Sequence, residues 1–220
     1  MRLASQLERA ESLLKYSLSN EQWPDNNAVL LVGLVPVFFA DFMLDIREQW
    51  VSEAFGHFDV RTMRQNFAHP QYGFEGLIRS SRQDVATLTR SGLIKAKSDV
   101  TAQADAKRRL LLFFPTAIDI LLRNFMRRAQ ALSRRTNIIG PFLLRMSLFS
   151  PLPLVALDMD GFENGRIEAG YREFPTIQVA NILDPVEPVI RPLCDHTHQT
   201  FGNQGSPYFD AQGQWRGPNP

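Results

Sequence analysis

Four side chains that can act as metal ligands or catalytic groups lie within five positions near the carboxyl end of the chain. The stretch PLCDHTHQTFG, residues 192–202, contains Cys194, Asp195, His196 and His198. A thiol beside an imidazole can form a nucleophilic pair, and thiolate, imidazole and carboxylate groups all bind zinc. If the segment is helical, Cys194 and His198 are four residues apart and share a face, whereas His196 points to the opposite side. The cluster therefore offers two converging groups rather than four.

A metal site built on this pair would need a third ligand from elsewhere in the chain. The candidates are His57, His69 and acidic residues, and the sequence has no second cluster with zinc-like spacing. The pattern therefore favours Cys194 as a small, buried apolar side chain, with the two residues after it facing solvent. A metal site and a catalytic cysteine–histidine pair stay open as alternatives, and no metal ligand or cofactor is predicted.

A second candidate is a run of basic residues that could bind phosphates. Eight lysines and arginines lie between positions 107 and 135, with Asp119 as the one acid among them. On a helix, Arg123, Arg127 and Arg134 fall within roughly 40° of one another. We predict that the nucleic-acid-binding residues are Lys107, Arg123, Arg127, Arg128, Arg134 and Arg135. Such a face can lie along a phosphate backbone, dock an acidic protein or simply face solvent.

A third stretch, DMDGFENG over residues 158–165, places Asp158 and Asp160 on one side of a strand, where they would suit a hard cation. The downstream acid of an EF-hand is missing at the required position, so a tight turn rich in Asp, Gly and Asn is the better interpretation. The sequence has no P-loop, GxGxxG, GxSxG or HExxH motif, which lowers the expectation of an enzyme.

The length, net charge and cysteine content of the chain indicate its size and its expected compartment. The chain has 220 residues, a net charge of +1 and a single cysteine, as expected for a folded protein of the reducing cytoplasm. The most apolar run, residues 28–40, is 13 residues without a charge. That is shorter than the roughly 20 residues that span a membrane, so no membrane partner is predicted.

The elements that must position these groups are a mixture of helices and strands. The periodicity predicts helices over 2–19, 41–55 and 116–136, a buried strand over 28–39, an antiparallel meander over 68–100, and strands over 140–149, 152–160 and 174–182. The polar residues 101–108 are predicted as a loop or a helix start. The helix 41–55 is expected to hold Phe42, Ile46, Trp50 and Ala54 on one side.

The last helix carries its own start signals. Asp184 is predicted as the N-cap, Pro185 as the first helical residue and Glu187 as the third, which together resemble a capping box. Gly202 suits the carboxyl end. Pro192 lies inside the helix and predicts a kink or break there.

Several segments taken in order resemble a known family. They are LLVGLVPV, HPQYGFEGL, GPFLLRMSLF, VEPVIRPLCDHTHQTFG and YFDAQGQW. The series, over roughly residues 28–216, resembles the carboxyl-terminal region of bacterial proteins that carry an amino-terminal Schlafen-type AlbA domain, to which DNA binding is ascribed. The ending with Asp210, Gly213 and Trp215 is its most specific part. The AlbA-like half is absent, so no functional residue carries over. The resemblance implies a bacterial, cytoplasmic protein acting beside nucleic acid, in defence or regulation.

Together these observations predict an α+β fold, in which an antiparallel sheet packs against a long amphipathic helix and a carboxyl-terminal helix. The domain is expected over 23–203, with 1–22 as an amino-terminal helix or linker remnant and 204–220 as an extended tail. We expect a non-enzymatic accessory or interaction domain of a nucleic-acid-associated protein, whose partner is a second copy or the missing AlbA-like half. The alternatives are direct nucleic-acid binding through residues 107–135 and an enzyme that uses Cys194 and His198.

Overall fold

The computed structural model describes residues 2–19, 25–39, 44–56, 58, 69–73, 76–81 and 83–218. The helices are α1 (Arg2–Ser19), α2 (Gln49–Phe55), α3 (Pro115–Thr136) and α4 (Val186–Thr200). The strands are β1 (Val29–Pro36), β2 (Gln71–Tyr72), β3 (Gly76–Ser80), β4 (Asp84–Thr89), β5 (Ile94–Asp99), β6 (Gln103–Asp105), β7 (Leu110–Phe113), β8 (Phe142–Ser150), β9 (Leu154–Leu157), β10 (Glu163–Ile167), β11 (Gly170–Glu173) and β12 (Ile177–Val179).

The α+β prediction is confirmed, although the strands form two sheets rather than one. In the described part of the chain, the larger sheet is antiparallel with the order β11-β8-β1-β5-β4-β3-β2, and β12 also pairs with β8. The smaller sheet has the order β10-β9-β7-β6, and its β7 and β9 run parallel. The segment 101–108 contributes β6 to this smaller sheet and is loop or turn on either side of that strand, so the prediction of a loop or helix start there was only partly correct.

Strand β1 is buried along its whole length because helices cover both faces of the sheet. Leu30, Val32 and Leu34 face the main core, which also contains the apolar stripes of α3 and α4. The alternate residues Leu31 and Val35 face α1, in the smaller cluster around Leu14 and Leu18. The strand predicted over 28–39 is therefore confirmed for residues 29–36, which form a continuous hydrophobic strand, as expected for a strand buried on both sides.

Helix α1 forms as predicted over residues 2–19 and packs on the sheet. Gly33 of β1 makes room for it, since a Cβ there would lie 2.5 Å from a Leu14 methyl group. Helix α2 is shorter than the predicted 41–55. Ile46 and Ala54 are buried, Trp50 is 45% exposed and Phe42 lies outside the described residues. No helix in the described part of the chain combines the length and apolar character needed to cross a membrane.

The carboxyl-terminal segment differs from the predicted extended tail. Residues 204–218 fold back in turns, and Phe209 pairs with Trp215 in an isolated antiparallel bridge. The ring of Trp215 also packs against Tyr208 at a centroid distance of 5.1 Å. The aromatic residues of this segment thus contact one another, because this small cluster removes apolar ring surface from water.

The contact between β10 and the end of α4 predicts a large effect for Gly165→Ala. Gly165 has φ +104°, and a Cβ there would overlap the carbonyl oxygen of Phe201. We expect this variant to lower the free energy of unfolding by about 2–4 kcal/mol, measured by urea denaturation. The control Gly161→Ala has φ +84° and open space around it, so only the backbone strain of about 1–2 kcal/mol should appear. Equal decreases in the free energy of unfolding for the two variants would contradict this contact.

Candidate functional site

Helix α3 separates an apolar side, which enters the core, from a side that carries most of its arginines. Its buried apolar side chains recur at three- and four-residue spacing, as a core-facing helix requires. They include Ile118, Leu121, Leu122, Phe125, Ala129 and Leu132. The helix ends at Thr136, and the next residue, Asn137, has φ +56° and ψ +26° in the left-handed region that often follows a last helical turn. Arg134 and Arg135 lie in that last turn, where positive charge complements the helix dipole.

Arg123 is not on the solvent face where the sequence placed it. Its side chain is 4% exposed, and its Nε donates a hydrogen bond of 3.0 Å to Oε1 of Glu187. The guanidinium lies 4.7 Å from the ring centroid of Trp215, and Nη1 lies 3.5 Å from the carbonyl oxygen of Pro218. Burial lowers the pKa of the Arg123 guanidinium, while the hydrogen bond to Glu187 opposes that shift. Arg123 therefore joins α3, α4 and the carboxyl-terminal segment, and a phosphate cannot reach it in this arrangement.

The other predicted basic residues are exposed. Arg127 is 42% exposed and its Nη2 lies 3.3 Å from Oε1 of Glu187. Arg128, Arg134 and Arg135 are exposed on the same half of α3. Lys107 is exposed too, but it lies in the turn between β6 and β7 and not on the helix. The structure therefore groups four of the six predicted residues along the carboxyl-terminal half of α3.

The start of α4 uses Glu187 differently from the predicted capping box. The helix begins at Val186, so Pro185 is the N-cap and makes no side-chain capping bond. The carbonyl oxygen of Asp184 accepts a 2.6 Å hydrogen bond from Nε2 of Gln130 instead. The Glu187 carboxylate accepts a hydrogen bond from its own backbone N–H and also pairs with the two arginines of α3. The sequence could not show this, because the competing partners are about 60 residues away.

Pro192 does not break α4, which runs from Val186 to Thr200. A proline inside a helix has no N–H group to donate to the carbonyl four residues earlier. For Pro192, that carbonyl belongs to Pro188. Both prolines are exposed, so water can satisfy that carbonyl. The predicted break is therefore absent, because the helix continues past Pro192 with both prolines exposed, whereas the predicted kink stays a prediction.

A buried polar network joins α3, α4 and the segment after α4. Asp119, in the second turn of α3, is 0% exposed. Its Oδ2 lies 2.9 Å from Nε2 of His198 and accepts a 2.6 Å hydrogen bond from Oγ of Ser206. The Oγ of Ser206 in turn lies 3.3 Å from the backbone nitrogen of Tyr208, which donates to it. Asp119 was noted in the sequence only as the one acid of the basic run, and neither its burial nor its link to Ser206 had a sequence signal.

Cys194 and His198 share the buried face of α4, as their four-residue spacing predicted. Cys194 is 0% exposed and lies among the core side chains, which confirms its interpretation as a packed apolar residue. His196 is exposed and packs edge-on against Phe174, whereas Asp195 is only partly exposed and accepts a hydrogen bond from the backbone of Ser206. The predicted solvent-facing pair is thus correct for His196 and only partly so for Asp195.

The buried environment opposes a catalytic role for Cys194. Burial, and next the negative charge of Asp119, raise the pKa of its thiol well above the ordinary value. A nucleophilic cysteine needs the opposite shift, because the thiolate is the reactive form. The arrangement is not a serine-type triad either, since Ser206 contacts Asp119 and not the imidazole. The burial of Cys194 and the raised pKa of its thiol therefore count against a reactive Cys194–His198 pair.

Metal binding has no matching arrangement in the described residues. No group of three or more His, Cys, Asp or Glu side chains is placed there to hold an ion. His69 is exposed, and His57 lies outside the described residues. Residues 158–162 form the predicted turn, in which Oδ1 of Asp158 accepts the backbone N–H groups of Asp160 and Phe162 at 2.9 and 2.8 Å, whereas residues 163–165 already belong to β10.

A cavity of about 330 Å³ lies beside the buried network. His198 forms part of its wall, although its side chain is only 4% exposed. The remaining walls come from the start of α3, from the turn that follows β9, from β10, and from the loop that follows α4. They are Pro115, Thr116, Leu157, Asp158, Met159, Asp160, Asn164, Asn203, Gln204, Gly205 and Pro207.

The burial of Cys194 predicts slow reaction with thiol reagents. In native protein, a disulfide reagent such as DTNB should label Cys194 only at the rate at which the surrounding core opens, and protein unfolded in urea should react at once. The reaction is followed by absorbance with and without urea. Rapid stoichiometric labelling of the native protein would contradict the buried placement.

The Arg123–Glu187 pair predicts a pH-dependent contribution to stability. Burial opposes ionisation of Glu187, but a backbone hydrogen bond, the hydrogen bond from Arg123 and the charges of both arginines outweigh it, so its pKa is lowered from 4.5. The pair therefore stabilises the fold above the unfolded-state pKa and loses that effect as pH falls through the lowered folded-state pKa. We expect Glu187→Gln to cost about 1–2 kcal/mol at pH 7 and much less at pH 3, measured by urea denaturation.

The control for this comparison is Glu168→Gln, which removes an acid that is 76% exposed and 3.6 Å from Arg166. It should leave stability nearly unchanged at both pH values. A Glu187→Gln effect that stays the same at pH 3 and pH 7 would show that the carboxylate charge is not the stabilising feature.

No family model matches the chain, and neither the curated proteins nor the solved structures provide a match.

Proposed function

We propose that this chain is a non-enzymatic interaction domain that contacts the phosphate backbone of a nucleic acid through the carboxyl-terminal half of α3. The observation that supports this most directly is the grouping of Arg127, Arg128, Arg134 and Arg135, all exposed within nine residues. The helix has no acidic residue after Asp119, which is itself buried. We call these four side chains the α3 arginine face.

The dimensions of this face suit a chain of phosphates. Arg127 and Arg134 are seven residues apart, which corresponds to about 10 Å along a helix axis. Arginine forms short, charge-assisted hydrogen bonds to phosphate oxygens and cannot lose its charge at neutral pH. The face can therefore contact more than one phosphate at a time without reading the bases, as non-specific nucleic-acid binding does.

Arg127 is the weakest member of this face, because Glu187 already shares its charge. Arg134 and Arg135, in the last turn of α3, are expected to contribute most of the attraction. Arg123 is left out of the set, since it stabilises the junction of α3 with α4. The association with nucleic acid that the Schlafen-type resemblance implies agrees in direction with this proposal and stays a prediction.

The test is binding of fluorescently labelled single- and double-stranded DNA and RNA, followed by anisotropy across a salt series. The triple variant Arg128→Glu, Arg134→Glu, Arg135→Glu should lower affinity at least tenfold and reduce the slope of log K against log salt by about 2 to 3. The salt slope is the informative quantity, because it rises with the number of phosphates that the protein neutralises.

A matched control carries the same change of net charge elsewhere on the surface. Lys15→Glu, Arg166→Glu and Arg172→Glu replace exposed basic residues on α1, β10 and β11. This variant should keep most of the affinity. Equal weakening of both variants, or no binding by the wild type at low salt, would overturn the proposal. Binding only to acidic polypeptides, such as polyglutamate, would point to an acidic protein partner instead.

A further inference from the structure

The cavity at the amino-terminal end of α3 has the features of a small-molecule site that is separate from the α3 arginine face. Its volume of about 330 Å³ is at the lower end of the range for ligand pockets. It has room for about ten water molecules, at about 30 Å³ each. Nineteen residues separate Pro115 on its wall from Arg134, so the two places are roughly 28 Å apart along the helix.

The His198 imidazole presents an unused polar atom beside this cavity. A carboxylate can only accept a hydrogen bond, so in the neutral imidazole that pairs with it, Nε2 of His198 is the donor to Oδ2 of Asp119 at 2.9 Å. The other ring nitrogen, Nδ1, then keeps a lone pair, and no described residue forms a hydrogen bond with it. A side chain that is 4% exposed, lines a cavity and has a free acceptor is suited to receive an N–H group from a ligand.

Asp119 holds this imidazole in a fixed orientation. Its Oδ2 is shared between His198 and Ser206, and the Cys194 thiol, four residues before His198 on α4, also forms a hydrogen bond with this carboxylate. The loop that carries Ser206 is held in turn by Asp195, whose Oδ1 lies 2.9 Å from the Ser206 backbone nitrogen. The wall is therefore built before any ligand arrives, which lowers the entropy cost of binding.

The charges around the cavity favour a cation. Asp158 and Asp160 both line it, and no lysine or arginine does so within the described residues. Within the described residues, the carboxylate of Asp160 takes part in no ion pair. The positive end of the α3 dipole opposes a cation, but it amounts to about half a charge and Asp119 already lies next to it. A phosphate or carboxylate ligand would face two carboxylates without a counter-charge.

We propose that this cavity binds a small primary amine or guanidine, whose cationic group lies beside Asp160 and Asp158 and donates a hydrogen bond to Nδ1 of His198. The side chains of Thr116, Asn203 and Gln204 supply neutral hydrogen-bonding groups for the rest of the ligand. Met159, which is 67% exposed at the rim, offers a flexible apolar surface for its carbon chain. The cation-binding cavity and the anion-binding α3 arginine face thus have opposite charge preferences.

The test uses three ligands of equal size and different charge: butylammonium, butanol and butyrate. Each is titrated into isotope-labelled full-length protein, and the resonances of the His198 imidazole and of the 158–164 and 203–207 backbone amides are followed by NMR. Butylammonium should shift these resonances in a saturable way, butanol more weakly and butyrate not at all. Butyrate binding equal to that of butylammonium, or shifts confined to other regions, would overturn the proposal.

Two variants separate the carboxylate from the imidazole. Asp160→Asn changes an exposed side chain, is not expected to affect folding, and should weaken butylammonium binding about three- to tenfold. Glu168→Gln removes one charge outside the cavity and should leave the affinity unchanged. His198→Asn should also reduce binding, provided that its amide spectrum keeps the wild-type dispersion. An Asp160→Asn variant that binds as well as the wild type would contradict the site, independently of any result on nucleic acid.

Discussion

The whole structure depends on burying both faces of one strand. All eight residues of β1 are buried, and alternate side chains face opposite layers. Leu30, Val32 and Leu34 require apolar side chains from α3 and α4, while Leu31 and Val35 require α1. A strand with no polar face cannot lie at a surface, so helices must cover the sheet on both sides. This requirement determines where α3 lies and therefore which of its polar residues meet water.

As a consequence of this packing, the charged residues near the start of α3 are buried and those near its end are exposed. Near its start, Asp119 and Arg123 lie under α4 and the carboxyl-terminal segment, where each needs a partner because a lone buried charge is costly. His198 and Ser206 satisfy Asp119, and Glu187 satisfies Arg123. Further along, nothing in the described structure covers the arginines from 127 onward, and they remain exposed. One helix thus has a structural polar end and a solvent-facing basic end.

Much of the fold could be predicted from local patterns. The apolar stripe of α3, the alternation in the meander and the unbroken apolar run of β1 are repeated signals over many residues, and each element formed near its expected place. The short strand β6 and the shift of the α4 N-cap to Pro185 were missed, because a three-residue strand and a cap depend on partners distant in sequence. The angular position of Arg123 was correct, but a helical wheel does not show which segment folds over it.

The sequence by itself determined the fold class, the helices and strands with strong periodicity, and the shared face of Cys194 and His198 on α4. These follow from the geometry of one element at a time. The tertiary structure alone decided that Asp119, His198 and Ser206 meet, that Arg123 is buried beside Trp215, and that a cavity opens next to the imidazole. Each of these contacts joins groups about 80 to 90 residues apart, and only the packing of α3, α4 and the final segment around the core brings them together.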